Sequence, residues 1–211
     1  MKTDQLIRGL VADLPTPSGS VAATLALSLA LASTFSVVAM LACLGLRPEL
    51  SHVITSGPFW LKVTYTFALG TTGLCAIERL GRPGTTAAHA VMAACAVVAI
   101  IAITALAEFM LAPPGARTAM LLGRSASFCP VAIVALSAPL LMGAFIALNR
   151  LAPTNYTLAG AAAGLTAGGY GACIYSLHCT EYGMPFLATW YTLGMALMVA
   201  AGALLSRFLR W

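Results

Sequence analysis

The chain has 211 residues, of which 60% are hydrophobic and only 8% are charged. A water-soluble domain usually has about 25% charged residues, so this chain has too few polar side chains to cover a surface that faces water. The formal net charge is +5, but the basic residues are scattered singly or in pairs near the ends of apolar segments. No basic stripe can therefore follow a phosphate backbone, which argues against nucleic-acid binding.

Residues 1–20 form a leader in which Thr3 can cap a helix and Pro15 can end it. Five apolar residues at helical spacing share one face of this helix: Leu6, Ile7, Leu10, Val11 and Leu14. Such a helix either binds a partner protein or rests on lipid headgroups. Because few basic residues are present to attract anionic lipid, we favour a protein partner for this leader.

Six apolar segments follow the leader. Residues 21–46 contain no charged side chain. As a helix, this stretch is long enough to cross the roughly 30 Å hydrocarbon core at about 1.5 Å per residue. The other segments are 59–77, 87–111, 128–148, 156–177 and 185–205. Lys62 lies in the second segment, where its stem can snorkel to the interface. The sequence thus predicts an all-α polytopic membrane protein, with a cytoplasmic leader at 1–20 and a bundle of six transmembrane helices at 21–211.

Basic residues predict the orientation of this bundle, because cytoplasmic connections carry an excess of Lys and Arg. The two termini and the connections on their side hold seven basic residues, and the opposite side holds four. These are Lys2, Arg8, Arg79, Arg82, Arg150, Arg207 and Arg210, against Arg47, Lys62, Arg117 and Arg124. Both termini are therefore predicted in the cytoplasm.

Glycines at four-residue spacing occur in the fifth segment, at Gly160, Gly164 and Gly168. This spacing allows the backbone of a neighbouring helix to approach closely. The neighbour is either a second copy of the chain, in a homodimer, or another helix of the same bundle. We favour packing inside the bundle.

Two cysteine-containing motifs fall on the predicted outer side. His178-Cys179-Thr180-Glu181 offers an imidazole, a thiolate and a carboxylate, and Cys129-Pro130 begins the fourth segment. Cys129, Cys179, His178 and Glu181 could together bind a soft metal ion such as zinc or cadmium, although no cofactor is required. The chain lacks the C-x-x-C spacing of a zinc site, so redox chemistry, a structural disulfide and simple packing are open alternatives.

Four stretches of the chain are similar to those of a known family. These are residues 1–7, Cys129-Pro130, residues 177–181 with Phe186, and residues 190–194. They resemble the NrsF family, negative regulators of sigma factor F. The resemblance implies a bacterial inner-membrane anti-sigma factor that holds an extracytoplasmic-function sigma factor inactive until a stress, such as heavy-metal exposure, is sensed. It also implies a role for Cys129 and Cys179 in the response.

Our hypothesis is a non-enzymatic anti-sigma factor in the lipid bilayer, which binds its sigma factor through the leader and releases it on heavy-metal or redox stress. One alternative is a membrane thiol oxidoreductase, but such enzymes need a reactive pair that is typically a C-x-x-C, which is absent. Another is a small metal transporter, but the apolar segments contain almost no ionisable residue to line a polar path.

Overall fold

The computed structural model describes residues 21–81, 85–150, 153 and 155–209, and all regular elements within them are helical. The first seven helices are α1 (Val21–Cys43), α2 (Leu50–Val53), α3 (Gly57–Leu80), α4 (Ala88–Leu111), α5 (Pro114–Leu122), α6 (Phe128–Leu148) and α7 (Tyr156–Tyr175). The chain then enters α8 (Met184–Phe186), continues through a π-helical turn (Leu187–Tyr191) into α9 (Thr192–Leu205), and ends in a 3-10 turn (Ser206–Leu209). The leader, with its five apolar positions, lies outside the described residues.

Four helices in the described part of the chain are long and apolar enough to cross a membrane: Ala22–Cys43, Ala88–Leu111, Phe128–Leu148 and Met184–Phe208. The prediction of six such helices is therefore wrong in number. The second and fifth predicted segments do form long helices, α3 and α7, but neither is apolar enough to qualify. Lys62, Glu78 and Arg79 make α3 more polar, and α7 is rich in glycine, which contributes little hydropathy.

Helix α7 lies at the centre of the bundle, where it packs against α3, α6 and α9. Its glycines make this possible: a Cβ added to Gly164 would lie 2.1 Å from the Met198 carbonyl oxygen, and one on Gly160 would lie 2.3 Å from that of Gly202. The α7 and α9 backbones therefore touch, as small residues allow between apolar helices. This confirms the favoured interpretation, packing inside the bundle, and the glycine face is not available for the alternative, a homodimer.

Helix α3 packs on another side of α7 by the same principle. A Cβ on Gly169 would lie 2.3 Å from the Gly70 nitrogen, and one on Gly73 would lie 2.6 Å from the Thr166 nitrogen. Helices α3, α7 and α9 thus form the close-packed centre of the bundle. Helix α1 joins it through α6, against which it packs, and α4 lies on the periphery against α3 and α8.

The two ends of the bundle have different compositions. At one end the Arg150 side chain, just after α6, donates a hydrogen bond from Nη1 to Thr24 Oγ1 of α1 at 3.3 Å. We call this the terminal end, because the described chain starts and stops there. The opposite end contains Cys129, Cys179 and the connections around Arg47 and Arg124, and we call it the cysteine end.

Candidate functional site at the cysteine end

Cys129 and Cys179 lie in one buried apolar cluster, with exposed fractions of 0% and 3%. Cys129 is near the start of α6, and the Cys179 amide extends the last turn of α7 by donating to the Tyr175 carbonyl at 3.1 Å. Both are free thiols. The two sulfur atoms are close enough to interact electrostatically with each other and with the Lys62 ammonium. The structure therefore brings together the two cysteines that the sequence singled out.

Aromatic side chains enclose this thiol pair. Tyr175, Tyr191 and Phe186 belong to the same cluster and are almost fully buried, and the Tyr175 and Tyr191 ring centroids are 5.8 Å apart. Tyr65 of α3 is hydrogen-bonded to Thr192 of α9, with 2.7 Å between the two hydroxyl oxygens. These rings exclude bulk water, so charges in the cluster are screened much less than they would be at a surface.

Two cations are also buried at this end: Arg47 is 4% exposed and Lys62 is 3% exposed. Arg47 donates from Nη1 to the Cys179 carbonyl at 3.1 Å and from Nη2 to the Tyr182 hydroxyl. Lys62 donates from Nζ to the carbonyls of Cys179, at 3.4 Å, and Glu181. Lys62 Nζ also lies 5.3 Å from the ring centroid of Tyr191. Carbonyl oxygens and tyrosines, rather than carboxylates, accept these hydrogen bonds.

The other two predicted metal ligands are held by different partners. His178 is hydrogen-bonded through Nδ1 to the Gly45 carbonyl at 3.0 Å, and Glu181 Oε1 accepts from the Arg124 amide at 2.7 Å. Among the residues that the structure describes, no group of three or more His, Cys, Asp or Glu side chains could hold a metal ion. A soft metal bound by Cys129 and Cys179 would therefore need further ligands from a rearrangement, and the four-residue ligand set stays a prediction.

The connection after α7, residues 176–183, holds several elements together. His178 reaches the connection after α1, Cys179 and Glu181 are bound by Lys62 of α3, and the Glu181 side chain reaches the Arg124 turn before α6. At its end, the Met184 amide donates to Glu108 Oε2 of α4 at 2.9 Å. A displacement of Cys179 would therefore disturb contacts with α1, α3 and α6.

Sequence reasoning missed Arg47 and Lys62 as members of this site. The expected snorkelling of Lys62 to an interface is wrong, because its ammonium points into the bundle and binds the 176–183 connection. A signal was available, since an ionisable residue inside an apolar segment usually faces the bundle interior or a partner group. Arg47 lies in a connection between helices rather than inside an apolar segment, so its sequence position did not indicate that it is buried.

Comparison with known proteins extends the resemblance seen in the sequence. A family model described as "Negative regulator of sigma F" matches residues 10–211. The chain is 37% identical over 213 residues to the probable anti-sigma-F factor NrsF of Azospira oryzae, and 36% identical over 218 residues to the anti-sigma-F factor NrsF of Caulobacter vibrioides. Both alignments cover 100% of each chain. No solved structure matches. The chain therefore belongs to the NrsF family of negative regulators of sigma F.

Proposed function

We propose that this chain is a membrane anti-sigma factor that binds an extracytoplasmic-function sigma factor and releases it when the Cys129–Cys179 pair reacts. Membership of the NrsF family supports the negative regulation of a sigma factor, and a regulatory rather than an enzymatic role. The observation that carries the sensing proposal is the burial of both thiols in one cluster beside the Lys62 ammonium.

The proposed location is a bacterial inner membrane, with both termini in the cytoplasm. Four long apolar helices support membrane insertion, and α4 in particular exposes large apolar side chains along its length. The excess of Lys and Arg at the terminal end supports the orientation. The cysteine end then faces the periplasm, an oxidising compartment in which thiols form disulfides.

Oxidation is the favoured reaction of the pair. A hydroperoxide would take two electrons and two protons from the thiols of Cys129 and Cys179, which gives one disulfide, one alcohol and one water. The two buried cations, Arg47 and Lys62, oppose the entry of a further cation, and His178 and Glu181 have other partners. Capture of zinc or cadmium is the alternative reaction, and a transcription assay with cadmium tests it.

Helix α3 offers a route from the thiol pair to the cytoplasmic side. Lys62 lies near its first turn and Arg79 in its last, so about 25 Å of helix separates them at 1.5 Å per residue. Close glycine contacts hold α3 against α7, which favours movement of the helices as rigid bodies. The proposed switch needs a sigma factor that binds the two arrangements with different affinity. The leader, together with Arg79, Arg82 and Arg150, is the proposed binding surface.

Substituting Cys129→Ser and Cys179→Ser, singly and together, is expected to abolish release of the sigma factor while repression persists. Induction of sigma-dependent transcription by a hydroperoxide should fall by about tenfold or more, within the usual range of coupling between two sites. Transcription is measured with a reporter gene, with cadmium as a separate arm. Cys43→Ser, which removes an exposed cysteine, is the matched control and should respond normally. Undiminished induction in the double variant would exclude the pair as the sensor.

Replacing apolar leader residues is expected to release the sigma factor without any stress. A carboxylate at Leu10 or Leu14 would have to be desolvated in an apolar interface, which costs several kcal/mol. Leu10→Asp with Leu14→Asp should therefore weaken co-purification of the sigma factor by at least about 100-fold. Asp13→Asn, off that apolar face, is the control. Native affinity in the double variant would show that the sigma factor binds elsewhere.

A further inference from the structure

We propose that Arg47 and Lys62 give the Cys129–Cys179 site a positive electrostatic potential that favours anionic reactants over neutral reactants of the same shape. This inference rests on the proposed function, in which the thiol pair is the reacting group. It makes the two cations specificity-determining residues, in addition to their hydrogen bonds to the 176–183 connection.

The two positive charges are buried, and within the part of the chain that the structure describes no carboxylate forms an ion pair with either of them. Their hydrogen bonds go to the carbonyls of Cys179 and Glu181 and to the Tyr182 hydroxyl. Such dipoles satisfy the donors but leave the net charge in place. Because the surroundings are apolar and aromatic, the field of each charge is little screened at the sulfur atoms.

Glu181, the acidic residue nearest in sequence to Cys179, does not cancel this field. Glu181 directs its carboxylate to the Arg124 amide, at 2.7 Å, in the turn before α6. The Lys62 ammonium, by contrast, donates a hydrogen bond to the carbonyl of Cys179 itself, at 3.4 Å. The net potential at the pair is therefore positive.

One polar group at the site lacks an acceptor. Arg47 Nε is buried without a hydrogen-bond partner among the described residues. Buried donors are almost always satisfied in folded proteins, so an unpaired donor needs an explanation. A site that binds an anionic reactant supplies this explanation, because the incoming anion can accept a hydrogen bond from Arg47 Nε.

The test compares two alkylating reagents of nearly equal size, iodoacetate and iodoacetamide, on the purified full-length chain in detergent micelles. In both reactions the thiolate sulfur attacks the methylene carbon, an S–C bond forms, the C–I bond breaks and iodide leaves, while the thiol proton passes to the buffer. Both reagents need the same thiolate and the same access route. The ratio of the two rates at Cys179 therefore reports whether the positive potential outweighs the cost of desolvating the iodoacetate carboxylate, and mass spectrometry of the Cys179 peptide measures it.

In the unmodified chain the iodoacetate-to-iodoacetamide ratio is expected to be about tenfold higher at Cys179 than at the exposed Cys43, since two little-screened positive charges more than offset the desolvation of one carboxylate. Lys62→Met should lower the Cys179 ratio by about tenfold, whereas Lys62→Arg, which keeps the charge, should stay within about twofold of the unmodified chain. Arg47→Met is expected to act in the same direction as Lys62→Met.

Two results would overturn the proposal. One is an equal ratio at Cys179 and Cys43 in the unmodified chain, a measurement that does not depend on whether any variant folds. The other is an unchanged ratio in Lys62→Met, which would show that Lys62 only positions the connection, because a structural change alters both rates together. The proposed function is tested separately, by the transcription assay on the cysteine variants. The result of that assay does not depend on the ratio of the alkylation rates.

Discussion

Gly164→Ala is expected to separate α7 from α9 and to lower the free energy of unfolding by about 3 kcal/mol or more. The added Cβ would lie 2.1 Å from the Met198 carbonyl oxygen and 2.7 Å from its carbonyl carbon. Both are backbone atoms, so no side-chain rotation can relieve the contact and the helices must move apart. At an unstrained helical position the same substitution would be favourable by up to about 1 kcal/mol.

Gly115→Ala supplies the control for this substitution. Gly115 lies in α5, and a Cβ there would meet nothing within 4 Å. We expect the control to leave the midpoint of thermal unfolding in detergent micelles unchanged or slightly raised. If the Gly164→Ala variant unfolds at the same temperature as the control, the backbones of α7 and α9 are not in contact at Gly164.

The sequence placed the long helices well, but it did not show which of them are apolar enough to cross a membrane. The predicted segment 128–148 coincides with α6, and 87–111 differs from α4 by one residue. Both helices have long apolar stretches that suit a lipid environment, which is what hydropathy measures. Helix α7 is surrounded by other helices, so its sequence is selected for small size at Gly160 and Gly164 rather than for hydropathy. The predicted count of six spans is therefore too high by two, because α3 and α7 are long helices of lower hydropathy.

The sequence could predict only one feature of the candidate site, namely which end of the bundle holds the two cysteines, because this follows from the direction of each helix. Cys129 begins one helix and Cys179 follows the end of the next, so alternating helices place both at one end of the bundle. The directions of His178 and Glu181 depend on how residues 176–183 fold back over Arg47 and Lys62, and no periodic pattern encodes that path. The same path decides that Lys62 is buried, because its partners are carbonyl groups of that connection.

Gly123→Ala is expected to cost about 2–4 kcal/mol and to loosen the connection that carries Cys179. Gly123 has φ +51° and ψ −154°, a conformation almost restricted to glycine. A Cβ there would also lie 2.7 Å from the Glu181 carboxyl carbon and 2.8 Å from both of its oxygens. The carboxylate would have to leave the Arg124 amide, and the hydrogen bond between them would be lost. Chemical denaturation in micelles measures the cost.

Two comparisons separate the backbone strain at Gly123 from the displacement of Glu181. Gly45→Ala introduces a Cβ at another positive φ, +75°, with nothing within 4 Å, so it should cost only about 1–2 kcal/mol. In a chain that already carries Glu181→Ala, the cost of Gly123→Ala should fall to about that same value, which leaves a coupling free energy of about 1–2 kcal/mol between the two positions. Additive effects would mean that the Glu181 carboxylate does not rest against Gly123.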